Sequence, residues 1–322
     1  MSGEDDSSGW QLTESDPGVF TELLKTLGVP YIVDDLYSLD EESLSALQPL
    51  HALIFLFKWV PQSSNQNSAG KFDTNFPGFF AHQVVNNACA TLAVLNALGN
   101  IPSLKSGRQL EDLMSFTTGM DPDTRGVVVT SADWLREAHN SLSPPNAISL
   151  DGLGPPRKSE DAYHFVVYLP ITGSLYELDG LKPHPVTHGS FEDSSGGWLN
   201  LTREVIETRI ATYPPGALDF SLLALRDDPL PSMQSQLKTL HTSGKEADAA
   251  ELVVKIANET NKRERWAFEN SLRRHNHVGL MHALLVALAT AGKLSPAREN
   301  AKNVMKDRIQ KAKDRGEATD ED

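Results

Sequence analysis

The stretch Gln83-Val84-Val85-Asn86-Asn87-Ala88-Cys89-Ala90-Thr91 holds the only cysteine among 322 residues. Val84, Val85, Ala88, Leu92, Leu95 and Leu98 recur at a spacing that predicts a helix ending near Gly99. A cysteine near the N-terminus of such a helix feels the positive end of the macrodipole, which favours thiolate over thiol. Gln83, six positions earlier, offers an amide N–H. A thiolate beside a neutral donor is the start of an acyl-transfer site. A lone cysteine is most often just a small buried hydrophobe. The chemical reading therefore needs a base and a group to orient it.

Two further landmarks supply them. Tyr163-His164-Phe165-Val166-Val167-Tyr168-Leu169-Pro170 predicts a strand, Thr172-Gly173 a tight hairpin, and Ser174 to Gly180 the returning strand. His164 opens the first strand and Asp179 ends the second, so both side chains reach the same edge of a sheet. Cys89, His164 and Asp179 then stand in the order nucleophile, base, orienter. The thiolate attacks a carbonyl, His164 holds it as an ion pair and later protonates the leaving amine, and Asp179 fixes the imidazole. Gln83 and the backbone N–H of Cys89 are the candidate donors to the tetrahedral oxyanion.

Other polar residues read more plainly. His51 opens a buried strand and is expected to be a satisfied core histidine. His82 is expected to face solvent, and His184 and His188 lie in a Pro/Gly loop with no partner in view. Asn86 and Asn87 are expected to hold the turn before the helix. Asp121-Pro122-Asp123 is only faintly like a calcium loop and is discounted.

The elements that must position the site follow in chain order. Residues 1–9 are Ser- and acid-rich and are expected to be disordered; they resemble neither a secretory nor a transit signal. Trp10-Gln11-Leu12 reads as a short strand. Ser15-Asp16-Pro17 starts a helix carrying Phe20, Leu23, Leu24 and Leu27, with Gly28 at its end. Tyr31-Ile32-Val33 is β-prone, and Asp40 to Ala46 reads as a short helix. His51 to Trp59 is apolar on both faces, as a central strand is. Pro61 to Gly78 reads as a loop, Leu110 to Phe116 and Ser131 to Ser141 as helices. Ser143 to Asp161 is a long turn-rich loop leading into the His164 strand. Val205 to Tyr213 reads as a helix and Asp219 to Leu225 as a buried strand. After Pro231 no strand pattern remains. Helices are expected over Met233–Ala257, Lys262–Arg274 and Val278–Ala291, with another starting at Ser295-Pro296.

Composition bounds the partners. The net charge is −14, and no apolar run approaches the roughly 18 residues of a membrane span. One cysteine forms no internal disulfide, which suits a reducing compartment, cytosol or nucleus. There is no Cys/His cluster with zinc spacing. Residues 1–258 carry −17 and residues 259–315 carry +7. An acidic body argues against nucleic acid as the main ligand and draws a basic partner surface instead.

Taken together, Gln83-Val-Val-Asn-Asn-Ala-Cys89-Ala-Thr, Tyr163-His164-Phe165-Val and Leu175-Tyr176-Glu177-Leu178-Asp179-Gly180-Leu resemble the nucleophile, histidine and aspartate motifs of the ubiquitin carboxyl-terminal hydrolase family of papain-like thiol proteases. The first helix with its Glu14-Ser15-Asp16-Pro17-Gly18-Val19-Phe20 lead and the Leu53-Ile-Phe-Leu-Phe-Lys58 strand match as well. The resemblance implies an α+β papain-like fold with a mostly antiparallel sheet. It implies a deubiquitinating cysteine peptidase with Gln83 as oxyanion donor, Cys89 as nucleophile, His164 as proton donor and Asp179 as its orienter, without metal or cofactor. It places the 143–161 loop across the active site. The division expected is a disordered 1–9, a catalytic domain over 10–228 and a helical extension over 229–322.

That extension resembles the long-form, proteasome-associated subgroup. Arg273-Arg274-His275-Asn276, the apolar helix after them and the Lys/Arg-rich last helix carry the likeness, and the run around His277-Val278-Gly279 departs from it. The resemblance implies ubiquitin and ubiquitin conjugates as partners, a proteasomal ubiquitin receptor docked through 229–322, and a cytoplasmic and nuclear location, with no membrane. The competing reading is a non-catalytic ubiquitin-binding scaffold of a proteasome or chromatin complex.

Overall fold

The computed structural model describes residues 8–58, 70–143, 163–192, 197–213, 220–275 and 277–314. Seven strands form one antiparallel sheet: β1 (Tyr31–Asp35), β2 (Leu50–Lys58), β3 (Lys71–Phe72), β4 (Tyr163–Ile171), β5 (Ser174–Leu178), β6 (Val186–Ser190) and β7 (Phe220–Asp227), in the order β1-β7-β2-β4-β5-β6-β3. β2 lies between β7 and β4, which is why its residues are apolar on both faces. The expected central strand and α+β class are what the structure has.

Local chemistry sets the helix starts. α1 (Pro17–Thr26), α2 (Glu41–Ala46), α5 (Pro122–Thr130) and α8 (Pro229–Thr242) each begin behind an aspartate, Asp16, Asp40, Asp121 or Asp228, whose side chain accepts a backbone N–H of the first turn. A proline follows in three of them, where its missing N–H costs nothing. Asp121-Pro122-Asp123 is thus a helix start rather than an ion loop.

Two apolar layers cover the sheet. On one face α1, α3 (Cys89–Leu98), α4 (Arg108–Phe116) and α6 (Asp133–Asn140) pack Phe20, Leu24, Leu92, Leu95, Leu110 and Leu135 against Ile54, Val167 and Leu169. On the other, α2 and α7 (Gly197–Ala211) pack Leu44, Leu199 and Ile206 against Leu53, Phe55, Val166 and Tyr168. Both layers are needed because every central strand presents large side chains to each side.

Several expectations are corrected. Trp10-Gln11-Leu12 is extended but unpaired in the sheet. It is pinned to the α5–α6 region by Trp10 Nε1 on Thr130 O at 3.2 Å and Asn140 Oδ1 on Gln11 N at 3.0 Å. Of the segment expected to be disordered, Ser8 and Gly9 are tethered, Gly9 O accepting from Asn140 at 2.7 Å; residues 1–7 lie outside the described residues. Val186 to Ser190, read as part of a loop, is β6. The helices after Pro231 divide at Gly244, which sits at φ +69°, and α9 (Glu246–Arg274) runs unbroken through residues 257–262.

The expected boundary at 228–232 marks where strands end, not where the compact unit ends. That unit continues through Leu272, and a second one takes over at Arg273. Within the first unit α9 buries Trp266 over Gly18, where a Cβ would stand 2.8 Å from the Trp266 side chain. Asn270 Nδ2 donates to Gly18 O at 3.0 Å, Lys262 pairs with buried Asp34 at 2.6 Å, and Arg263 forks onto Asp228 at 2.6 and 3.0 Å. The second unit contains α10 (Val278–Thr290) and α11 (Leu294–Asp314). Among the described residues no single helix is long and apolar enough to cross a membrane.

Candidate active site

Cys89 is the first residue of α3, and Ala88 before it offers no side-chain cap. The first-turn N–H groups therefore point at the space before the sulfur rather than at a cap. The helix starts five residues later than the apolar pattern suggested: Val84 is exposed, and Asn87 turns the chain into the helix at φ +64°. Asn87 Nδ2 donates to Trp10 O at 3.1 Å, a structural role as expected.

The hairpin places the imidazole and the carboxylate. Thr172 and Gly173 both have positive φ, the conformation of a tight two-residue turn, and Ile171 pairs with Ser174. Counting along that register puts Asp179 opposite Val166, so His164 is its diagonal neighbour on the same face of the sheet. The imidazole spans the gap: His164 Nε2 lies 2.6 Å from Asp179 Oδ1, with both side chains almost fully buried. The second carboxylate contact is local, since Leu181 N–H donates to the same Oδ1 at 3.0 Å.

The electrostatics follow. Burial pulls the His164 pKa down, but the Asp179 bond, the Cys89 side chain and the charges of both outweigh it and hold the ring up at about 9. Burial pushes the Asp179 carboxyl up, and the His164 bond and charge overcome that and hold it below its usual range. Nε2 is occupied by Asp179, so Nδ1 is the ring nitrogen left to serve Cys89. Cys89 and Asp179 both act on one ring, and Gln83 N–H donates to Gly180 O at 2.9 Å, directly after Asp179. Gln83 Oε1 is buried with no hydrogen-bond partner. The loop 143–161 expected to cross this site lies, after Ser143, outside the described residues.

Of the other histidines, His82, His184 and His188 are corrected, and His51 is satisfied as expected. His82 does not simply face solvent: Nδ1 lies 2.8 Å from Asp123 Oδ1 and Nε2 3.2 Å from Pro183 O. His188 is buried on β6 with Nε2 3.2 Å from Glu177 Oε2, and His184 meets the Phe72 ring edge-on. His51 is satisfied by Asp227 at 2.7 Å. Sequence reasoning also missed Glu177, two residues before Asp179. It is buried, accepts from Lys182 at 2.6 Å and from Arg209 at 3.1 Å, and these partners overcome its burial and hold it ionised. The Lys182 bond closes the turn that carries Asp179. The signal was local, a carboxylate and a lysine bracketing Asp179-Gly180. Gly180 was missed too: a Cβ there would stand 3.1 Å from Gln83 N. Among the described residues no group of three or more His, Cys, Asp or Glu could hold a metal ion.

A thiol at a helix N-terminus, an imidazole on a sheet edge and a carboxylate behind it, in an α+β frame, define a papain-like cysteine peptidase. The chain belongs to the ubiquitin carboxyl-terminal hydrolase family. Residues 10–211 match the model of "Ubiquitin carboxyl-terminal hydrolase, family 1", and residues 249–294, within the helical region after the sheet, match that of "Ubiquitin carboxyl-terminal hydrolases". The chain is 37% identical to ubiquitin carboxyl-terminal hydrolase ubh-4 of Caenorhabditis elegans over 94% of each chain. It is 31% identical to ubiquitin carboxyl-terminal hydrolase isozyme L5 of Dictyostelium discoideum, over 96% of this chain and 99% of that one. Among solved structures, Trichinella spiralis UCH37 bound to ubiquitin vinyl methyl ester superposes with a TM-score of 0.65 at 32% identity, covering 80% of this chain and 99% of that one.

Proposed function

We propose that this deubiquitinating peptidase cleaves the amide or isopeptide bond at the C-terminal glycine of ubiquitin, with Cys89 as nucleophile, His164 as proton carrier, Asp179 as its orienter and Gln83 as oxyanion donor. The observation that carries the reading is the single His164 ring, bonded through Nε2 to Asp179 and held up at about 9 by Asp179 and Cys89 together. The ring, held at about 9, already carries the thiol proton on Nδ1 when the Cys89 thiolate bonds to the glycine carbonyl carbon. The tetrahedral oxyanion falls to Gln83 and the first-turn N–H groups of α3, a donor set worth about 3–4 kcal/mol per bond. The ring then gives its proton to the leaving amine as the C–N bond breaks. Water attacks the thioester, its proton passes to the ring, and the C–S bond breaks to release the Cys89 thiolate, restoring the ion pair. Asp179 accepts from Nε2–H throughout, and that proton stays on the ring.

A vinyl-ester ubiquitin electrophile tests this. We expect it to label the wild type and not Cys89→Ala. Absence of wild-type labelling would leave the competing reading, a ubiquitin-binding scaffold.

The partner reading is that the extension docks on a proteasomal ubiquitin receptor, in cytoplasm and nucleus. Its support is α10, where Leu280, Met281, Leu284, Leu285 and Val286 are all exposed. The docking surface is narrowed to the residues from 273 onward, because α9 up to Leu272 is part of the catalytic unit. Ending the chain after Leu272 is expected to abolish proteasome co-purification and to keep hydrolysis of a ubiquitin C-terminal amide. Retained co-purification would refute it. A fluorescent fusion seen in only one compartment would correct the location.

A further inference from the structure

Residues 80–83 are gripped from every side. Arg125 NH1 donates to Phe80 O at 2.6 Å. Asn96 accepts from Ala81 N at 2.8 Å and donates to Ala81 O at 3.2 Å. His82 N–H donates to Pro122 O at 3.0 Å, and Gln83 N–H to Gly180 O at 2.9 Å. The fit depends on two glycines. A Cβ at Gly126 of α5 would stand 2.2 Å from His82 O, and one at Gly180 would crowd Gln83.

Within this grip one side chain joins three segments. His82 precedes Gln83, its Nδ1 meets Asp123 in the first turn of α5, and its Nε2 meets Pro183 O at the end of the turn that begins with Asp179. A carboxylate and a carbonyl are both acceptors only. The full link therefore exists only when both ring nitrogens carry protons.

We propose that His82 is a positioning residue for the hydrolytic step: its ring ties the Gln83 segment to α5 and to the Asp179–Pro183 turn, fixing the distance between the oxyanion donor and the carboxylate that orients His164. The proposal rests on the roles given above to Gln83 and Asp179. Among the described residues the charged groups around the ring are engaged elsewhere, and His82 is the partner of Asp123. On the turn, Lys182 is bonded to Glu177 and Asp179 to His164; on α5, Arg125 is spent on the carbonyls of Phe80, Thr117 and Met120, and Asp121 caps Thr124. Phe80 presents its ring at right angles to the imidazole, 5.1 Å away.

The test is hydrolysis of a fluorogenic amide at the ubiquitin C-terminus by the full chain, with kcat expressed per site titrated by the ubiquitin electrophile, so that an unfolded fraction does not enter. His82→Ala and Asp123→Ala are each expected to lower kcat about three- to tenfold at about pH 6 with KM unchanged, the effect of one charge-assisted link. The double variant is expected to be no slower than either single, because both remove the same link. A wild-type kcat in His82→Ala, a change confined to KM, or additive losses would each overturn it. Cys89→Ala and Gln83→Ala separate the two levels: full activity in either refutes the reading of the site itself, whatever His82 does.

Discussion

His164 and His139 are both nearly sealed from solvent, 4% and 2% exposed, yet they titrate in opposite directions. Burial pulls both rings down. At His164 the Asp179 carboxylate and the Cys89 side chain reverse the effect and hold the ring at about 9. At His139 the partners are the Thr13 hydroxyl at 2.9 Å, the Gln11 carbonyl at 2.7 Å and the Thr91 hydroxyl at 2.8 Å, all neutral, so burial prevails and its pKa falls below the usual value. The carbonyl accepts only, so Nε2 carries the single proton and Nδ1 accepts from Thr91. Each ring acts on the first turn of α3, His164 on Cys89 and His139 on Thr91. The charge of the neighbours, not the depth, decides which histidine moves protons and which is a neutral fixture.

The largest way to break this comparison is Asp179→Asn. The variant keeps the shape and removes the charge that overrides burial. We expect kcat/KM to fall about 10³–10⁴-fold, the scale seen when a base loses its orienting carboxylate. The His164 pKa should also drop well below 9, read by NMR of labelled histidine. An unmoved titration would mean that the raised value comes from Cys89 and not from Asp179.

A second test is stability against pH. A folded pKa of about 9 above the ordinary 6.5 means that the native state binds the His164 proton more tightly than the unfolded chain does. That stabilisation is complete below about pH 6.5 and is lost as pH rises through about 9, on the order of 3 kcal/mol. The lowered Asp179 pKa acts at the other end, its contribution present above the ordinary carboxylate range and lost in acid. His139 has the opposite sign from His164: its depressed pKa costs nothing above 6.5 and destabilises the fold as pH falls below that. Denaturant midpoints from about pH 5 to 10 should show both limbs. Asp179→Asn should flatten the alkaline one and His139→Gln the acid one.

How much of this was legible in the sequence depends on distance along the chain. His164 and Asp179 were readable because Thr172-Gly173 fixes the register between them. Cys89 and Gln83 were readable because they share one short motif. The His139 setting was not, since Gln11 lies 128 residues away and Thr91 48. Nor was the His82 link, whose partners stand 41 and 101 residues on. β6 escaped because Val-Thr-His-Gly-Ser has no alternating pattern, and only pairing with β5 and β3 makes it a strand. α5 escaped because Val127-Val128-Val129 reads as β-branched; Asp121, Pro122 and the close approach at Gly126 settle it as helix. The attachment of α9 escaped because Trp266 and Gly18 are far apart in the chain and neither is unusual alone.

The smallest effect sharpens the comparison most, because it falls between the two histidines. Thr91→Val keeps the shape of the side chain and removes the hydroxyl that His139 Nδ1 uses. A buried ring nitrogen left without a partner costs about 1–3 kcal/mol. That loss should appear as a lower denaturant midpoint with an unchanged slope. Thr91 is two residues beyond Cys89, on the same first turn, so the variant also asks whether the neutral fixture feeds the nucleophile. If depth and neighbouring charge divide the two rings as argued, kcat and the His164 titration stay at their wild-type values while stability falls. A matching loss in kcat would join the two regions, making His139 part of what aims Cys89 at the scissile carbonyl.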